Sequence, residues 1–253
     1  MTGAASQAQS PRPPDRLLAA QVPPDWEPFL DSINIDPDAA AYVRNSGWAF
    51  LSGLVADQSV RSAMAWSLPL RLSQRTNVDD LRVLGEGPSA VLARALAERP
   101  ALHRYPQAIG QRLHRLYSEW GPRLGTTPES LWNDDPAAAG IERRLRKLPG
   151  IGPKKAALGV LLLRSDLGTS VAGLTAIPLA VDSHVRRVLS RYLGVPLEAK
   201  AEVFQHAAMR ASPDCPGRLS TPLWGIGVNY CRPQKPLCEA CPLSGCCRAV
   251  SRL

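Results

Sequence analysis

Residues 148–156 read Leu148-Pro149-Gly150-Ile151-Gly152-Pro153-Lys154-Lys155-Ala156, the run that says most about how this chain folds. Gly150 and Gly152 permit positive φ and let another molecule approach the backbone with no Cβ in the way. Pro153 suits the first position of a helix, where its missing N–H costs nothing. A basic segment of helical spacing, 139–147, precedes the run, and an apolar one, 154–164, follows it. The prediction is a helix, a tight glycine hairpin and a second helix over 139–165. Unpaired amides at the hairpin and at the second helix start can bind a phosphate. That makes Leu148, Gly150, Ile151 and Gly152 candidate contacts to a polyanion, reinforced by Arg143, Arg144, Arg146 and Lys147 before the turn. The alternative is a packing turn whose charges are merely solvated, but turn, proline and bases agree on the first reading.

Lys154 and Lys155 carry separate expectations. Lys154 sits in the first turn of the second helix, where the positive end of the dipole disfavours an ammonium. An amine there should lose its proton more readily, as an amine nucleophile requires. Lys155 is read as a phosphate contact.

Working outward, apolar residues recur at three- and four-residue steps over 39–56, 59–73, 89–97, 106–119, 183–193 and 197–209, separated by Pro, Gly or Asn/Asp clusters. There is no internal repeat and no strand pattern, so the fold class is all-α. Residues 166–178 read as a loop between helices. The stretch 1–25, rich in Ala, Gln, Ser and Pro, reads as a disordered arm, neither signal peptide nor anchor. No apolar run approaches the roughly 20 residues needed to cross a bilayer.

The chain has 253 residues, 45% hydrophobic and 21% charged, enough to bury a proper core. Its formal net charge of +8 favours a polyanionic partner. Of 30 basic residues, 25 are Arg and five are Lys. Arg binds phosphate but cannot act as an amine nucleophile, which leaves Lys147, Lys154, Lys155, Lys200 and Lys235.

Asp182, in Val181-Asp182-Ser183-His184, opens the next helix, and capping alone explains most such residues. At the end of the apolar run 178–181 it could also stabilise a cationic sugar or assist a nucleophile. Six cysteines are present, none before Cys215, and five lie within 231–247. Such clustering points to a metal centre in a reducing compartment rather than a disulfide framework. Cys231, Cys238, Cys241 and Cys247 supply four thiolates. Zinc is one occupant; a cubane iron–sulfur cluster is the other. Cys246 could replace Cys247, and Cys215 reads as a buried free thiol.

Taken in order, LPGIGPKKA, VDSHVRRVLSR and C-x6-C-x2-C-x5-C resemble the endonuclease III-like branch of helix-hairpin-helix DNA glycosylases, over roughly 40–247. The resemblance implies two domains: a six-helix barrel over 46–178, and a cluster domain made from 26–45 together with 179–253. It implies double-stranded DNA with damaged bases or abasic sites as partner, lying between the domains, with a base flipped from the stack. By position it makes Lys154 the Schiff-base lysine, Asp182 the catalytic aspartate, and Cys231, Cys238, Cys241 and Cys247 the ligands of a [4Fe-4S] cluster. Arg232, Lys235 and Arg248 then belong to a basic loop against DNA. Gln58 matches a residue that enters the duplex, and His103-Arg104-Tyr105-Pro106 a loop that touches it. Lys154 and Asp182 lie further apart than the resemblance leads one to expect, by roughly ten residues, as an inserted loop would make them.

Three functions follow as expectations: a glycosylase with lyase activity through Lys154, a glycosylase in which Asp182 activates water, or a non-catalytic DNA-binding protein. A monomer working in the cytoplasm, on the nucleoid in a bacterium, is expected for each. Which base is removed is open.

Overall fold

A computed structural model describes residues 28–249, so the expected arm at 1–25 lies outside the described residues. The chain divides into two compact units, Asp25–Leu174 and a second containing Thr175–Leu253. Among the described residues the elements are helices and helical turns, with one isolated β-bridge, Ala137–Ala172. No helix there is long and apolar enough to cross a membrane.

In the first unit, α1 (Pro37–Asn45) leads into α2 (Gly47–Ala56). The sequence predicts one helix over 39–56; the chain instead breaks at Ser46, in extended conformation, whose hydroxyl caps α2 by accepting the Ala49 N–H. All ten residues of α2 are buried, which is why it lacks a polar face. Its lone hydroxyl, Ser52, pairs with the Tyr117 hydroxyl at 2.6 Å. Gly53 lies so close to Trp66 of α3 (Ser62–Thr76) that a Cβ would stand 2.6 Å from the indole. Then come α4 (Ser89–Ala97), α5 (Pro106–Arg115, continued by a π turn to Trp120), α6 (Ala138–Leu145) and α7 (Pro153–Ser165).

Residues 28–45, expected with the C-terminal segment, belong to the first unit. Asp166, at the end of α7, has a buried carboxylate that accepts the Phe29 and Leu30 N–H groups at 3.0 and 2.9 Å. Arg44 of α1 stands 3.6 Å from it. Burial pushes the Asp166 carboxyl up, opposed by these partners. A carboxylate removed from water needs such donors, and here they bind the segment to α7.

The loop 166–178 is pinned to α6. The Ala138 N–H donates to Ala172 O at 2.8 Å, and the Ala172 N–H to Pro136 O at 2.9 Å. An amide of the first helical turn, which the helix cannot satisfy, is thereby paired.

The second unit holds α8 (Ser183–Leu193), α9 (Ala201–Ala211) and α10 (Ser220–Asn229) around a core that includes Val185, Leu189, Tyr192, Phe204 and Leu223. The cysteine-rich segment packs on that core, with Leu243 buried and Cys231, Cys241, Cys246 and Cys247 against it.

Candidate functional site

The hairpin forms as the sequence predicts. Gly150 has φ +78, a left-handed conformation that L side chains adopt only with strain, and it is exposed. Gly152 caps α7 in extended conformation, with open space where a Cβ would be. Leu148 and Ile151 are buried, so their side chains anchor the hairpin in the core and offer a ligand nothing. The Ile151 N–H is taken up by Leu148 O at 3.2 Å, inside the turn. Of the basic residues before the hairpin, Arg144 is committed elsewhere: its Nε donates to Leu131 O and it pairs with Asp135. Arg143, Arg146 and Lys147 are exposed, Arg146 standing 3.6 Å from Glu142.

The two lysines part company. Lys154 is exposed on the first turn of α7. Lys155 turns inward instead of toward a phosphate, and its Nζ donates to Val55 O at 2.6 Å. Burial, helped by the nearby charges of Arg112 and Lys154 and opposed by Asp57, pushes the Lys155 ammonium down to about 8. Desolvation, a larger effect here than a helix dipole worth about 1 kcal/mol, therefore makes Lys155, read from sequence as a phosphate contact, an easily deprotonated amine.

Around Val55 the end of α2 turns sharply. The Gln58 N–H bonds Ala56 O at 2.7 Å, and Ser59 has φ +56. Gln58 is half-buried, and its Oε1 accepts from Arg112 of α5 at 2.5 Å. Ala56 O also meets His103 Nε2 at 3.1 Å. His103 Nδ1 accepts the Tyr105 N–H at 2.9 Å, which leaves the ring proton on Nε2 as the donor to Ala56. Burial pushes the His103 imidazole below its ordinary value. His103, expected in a DNA-touching loop, is thus a core strut; Arg104 and Tyr105 beside it are exposed, the guanidinium 5.4 Å from the phenol ring centre.

In the second unit Asp182 is half-buried and caps α8, accepting the Val185 N–H at 2.8 Å. Two arginines of α8 hold the start of the cysteine loop. Arg187 donates to Cys231 O at 2.6 Å and Gly227 O at 2.8 Å. Arg191 donates to Arg232 O at 2.7 Å, Pro233 O at 2.9 Å and the Cys231 sulfur at 3.4 Å. Arg232 and Lys235 are exposed on this loop, Lys235 with φ +46, while Arg248 is tied to Leu193 O. All six cysteines stand outside disulfides, and Cys215 is buried as expected. Burial pushes the Cys241 thiol up, with smaller contributions from Cys231, Cys247 and Cys238. Cys246 turns toward Tyr192, its thiol 3.5 Å from the hydroxyl. Among the described residues no three His, Cys, Asp or Glu side chains are gathered so as to hold a single metal ion.

Comparison with solved structures identifies the fold. The fold matches a trapped endonuclease III–DNA covalent intermediate over 80% of this chain and 83% of that one, with TM-score 0.58 and 19% identity. It matches a thermostable thymine-DNA glycosylase over 95% and 98%, with TM-score 0.62 and 15% identity. The chain has the endonuclease III-like helix-hairpin-helix fold. In sequence, this endonuclease III-like chain is 33% identical over 144 residues to an adenine DNA glycosylase of Schizosaccharomyces pombe, covering 55% of the chain and 26% of that protein. It is 30% identical over 111 residues to the mouse adenine DNA glycosylase, covering 42% and 20%. It is 31% identical over 108 residues to endonuclease III of Thermotoga maritima, covering 43% and 46%. The chain thus spans less than half the length of the curated relatives it matches. No protein-family profile matches the sequence.

The structure brings Gln58, the hairpin and both lysines into one unit, and gathers Asp182 and the cysteine loop in the other. Sequence reasoning missed Arg112, Arg187 and Arg191. Their places on basic helix faces look like solvated charge until tertiary packing shows which carbonyls they meet.

Proposed function

We propose that the chain is a DNA-repair glycosylase that flips a damaged base from double-stranded DNA and excises it, with an associated lyase step at the abasic site, acting as a monomer. The observation that carries this reading is Lys154, an exposed amine on the first helical turn after a left-handed glycine hairpin, within an endonuclease III-like fold. Main-chain amides of Gly150 and Gly152 and the first turn of α7 hold the DNA backbone, with Lys147 and Arg143 adding charge.

The Lys154 amine, in its neutral form, attacks the sugar C1′; the bond from C1′ to the base nitrogen breaks, and the base leaves with that electron pair and picks up a proton. The sugar ring opens to an imine on Lys154. Loss of a C2′ proton then expels the 3′ phosphate and nicks the strand. Asp182 offsets positive charge on the sugar as the base departs. Gln58 and Arg104 meet the duplex beside the flipped base, and Arg232 and Lys235 meet its backbone.

The thiolate set supports a [4Fe-4S] cluster on Cys231, Cys238, Cys241 and Cys247. A cubane spreads four thiolates over four irons, whereas zinc draws them around one ion. Thiols outside disulfides on tight turns, with Arg191 donating to the Cys231 sulfur, suit that donor set. When bound, the cluster supplies cross-linking that fixes the loop bearing Arg232 and Lys235.

In one further reading Asp182 activates water and Lys154 only contacts DNA. Borohydride trapping on lesion-bearing duplexes separates the two. Wild type should form a covalent adduct and Lys154→Ala none. Base release without adduct or nick selects the water mechanism, and DNA affinity with neither reaction across a lesion panel selects a binding protein.

A further inference from the structure

The turn carrying Gln58 is gripped from three directions by side chains that the proposed reaction leaves unused: Lys155 on Val55 O, His103 on Ala56 O and Arg112 on Gln58 Oε1. Two of these grips satisfy carbonyls at the end of α2, where a helix runs out of partners. Water could do that at far lower cost than an ammonium withdrawn from solvent. Both cations also reach the hairpin. Lys155 lies in the first turn of α7, three residues after Gly152, and the aliphatic stem of Arg112 lies against Gly150, with Cδ 2.8 Å from where a Cβ would stand. Ser59 keeps a left-handed conformation that a serine seldom adopts unaided, so the shape of the turn is imposed from outside.

We propose that Lys155 and Arg112 are positioning residues that lock the Gln58 turn to the hairpin at a fixed offset, so that the hairpin's grip on the DNA backbone sets where Gln58 meets the duplex. This rests on the DNA-binding reading above. The charges facing Lys155 are Asp57, Arg112 and Lys154, with the neutral His103 beside Ala56 completing the group. All of these residues belong to the first unit.

The test uses the full chain and a duplex carrying an uncleavable tetrahydrofuran abasic analogue with 2-aminopurine next to it. Anisotropy gives affinity, and the fluorescence at saturation reports unstacking where Gln58 enters. Wild type should raise the fluorescence and Gln58→Ala should lower that rise. Lys155→Met and Arg112→Met should lower it to the level of Gln58→Ala while still saturating the duplex, and Lys155→Arg should restore it in part. The double variant Lys155→Met with Gln58→Ala should lose nothing more than either alone, as coupled residues do. Melting curves show that each variant is folded; if Lys155→Met is not, Arg112→Met carries the test. A full wild-type rise with Lys155→Met and Arg112→Met overturns the positioning role and leaves the DNA reading standing. Failure of wild type to bind the duplex overturns both.

Discussion

Replacing Lys155 with Met changes how stability depends on pH, and the size of the change follows from where the amine sits. Burial lowers the Lys155 ammonium from 10.5 to about 8 in the folded chain. Between those values the unfolded chain holds a proton that the folded chain has released, so folding gains stability as pH rises through that window. Every tenfold loss of proton affinity on folding is worth about 1.4 kcal/mol. Integrated from about pH 7 to about pH 10, the contribution grows by about 2 kcal/mol. Methionine keeps the length of the stem and removes the titration. Urea unfolding of both proteins across that range should show the wild type gaining about 2 kcal/mol on the variant. Tyr117, buried and pushed well above its ordinary value, binds its proton more tightly when folded, so it costs stability at still higher pH. That cost is common to both proteins and cancels in the difference. His103, lowered from 6.5 by burial, contributes stability that fades as pH falls through and below 6.5, outside the range scanned. A difference that stays flat to within about 0.5 kcal/mol would place the Lys155 amine in solvent and refute the inward geometry.

Gly150→Ala should destabilise by about 2 kcal/mol in thermal or urea melts, since a left-handed residue with a Cβ costs about 1–2 kcal/mol and the methyl also meets Arg112. Gly152→Ala, in extended backbone with open space around it, should stay within about 0.5 kcal/mol of wild type; equal effects at both positions would contradict the hairpin geometry. Cys247→Ser should lose iron and the visible absorption of a cluster in protein purified without oxygen, whereas Cys246→Ser should keep both. The opposite pattern would hand the fourth ligand position to Cys246.

The hairpin, the order of the main helices and the clustered thiols were legible in the sequence because each depends on neighbours in the chain. Glycine at 150 and proline at 153 dictate local backbone whatever surrounds them. Apolar spacing gave α4, α7 and α8 nearly residue for residue. It misjudged 39–56, where Ser46 caps a new helix inside a continuous apolar pattern. Four cysteines within 17 residues suggest one shared occupant from sequence, with Cys247 as the last ligand and Cys246 able to replace it.

What a charged side chain does depended on the tertiary structure. Lys154 and Lys155 are neighbours with the same chemistry, yet one faces solvent and the other reaches a carbonyl a hundred residues away. Arg144 looked like part of a phosphate site and instead braces Leu131 and Asp135, and residues 28–45 fall in the first unit, where Asp166 accepts the Phe29 and Leu30 N–H groups. Local sequence sets backbone conformation through sterics that act over a few residues. Burial and electrostatic partnership are set by whatever the folded chain brings alongside, and no stretch of sequence carries that by itself.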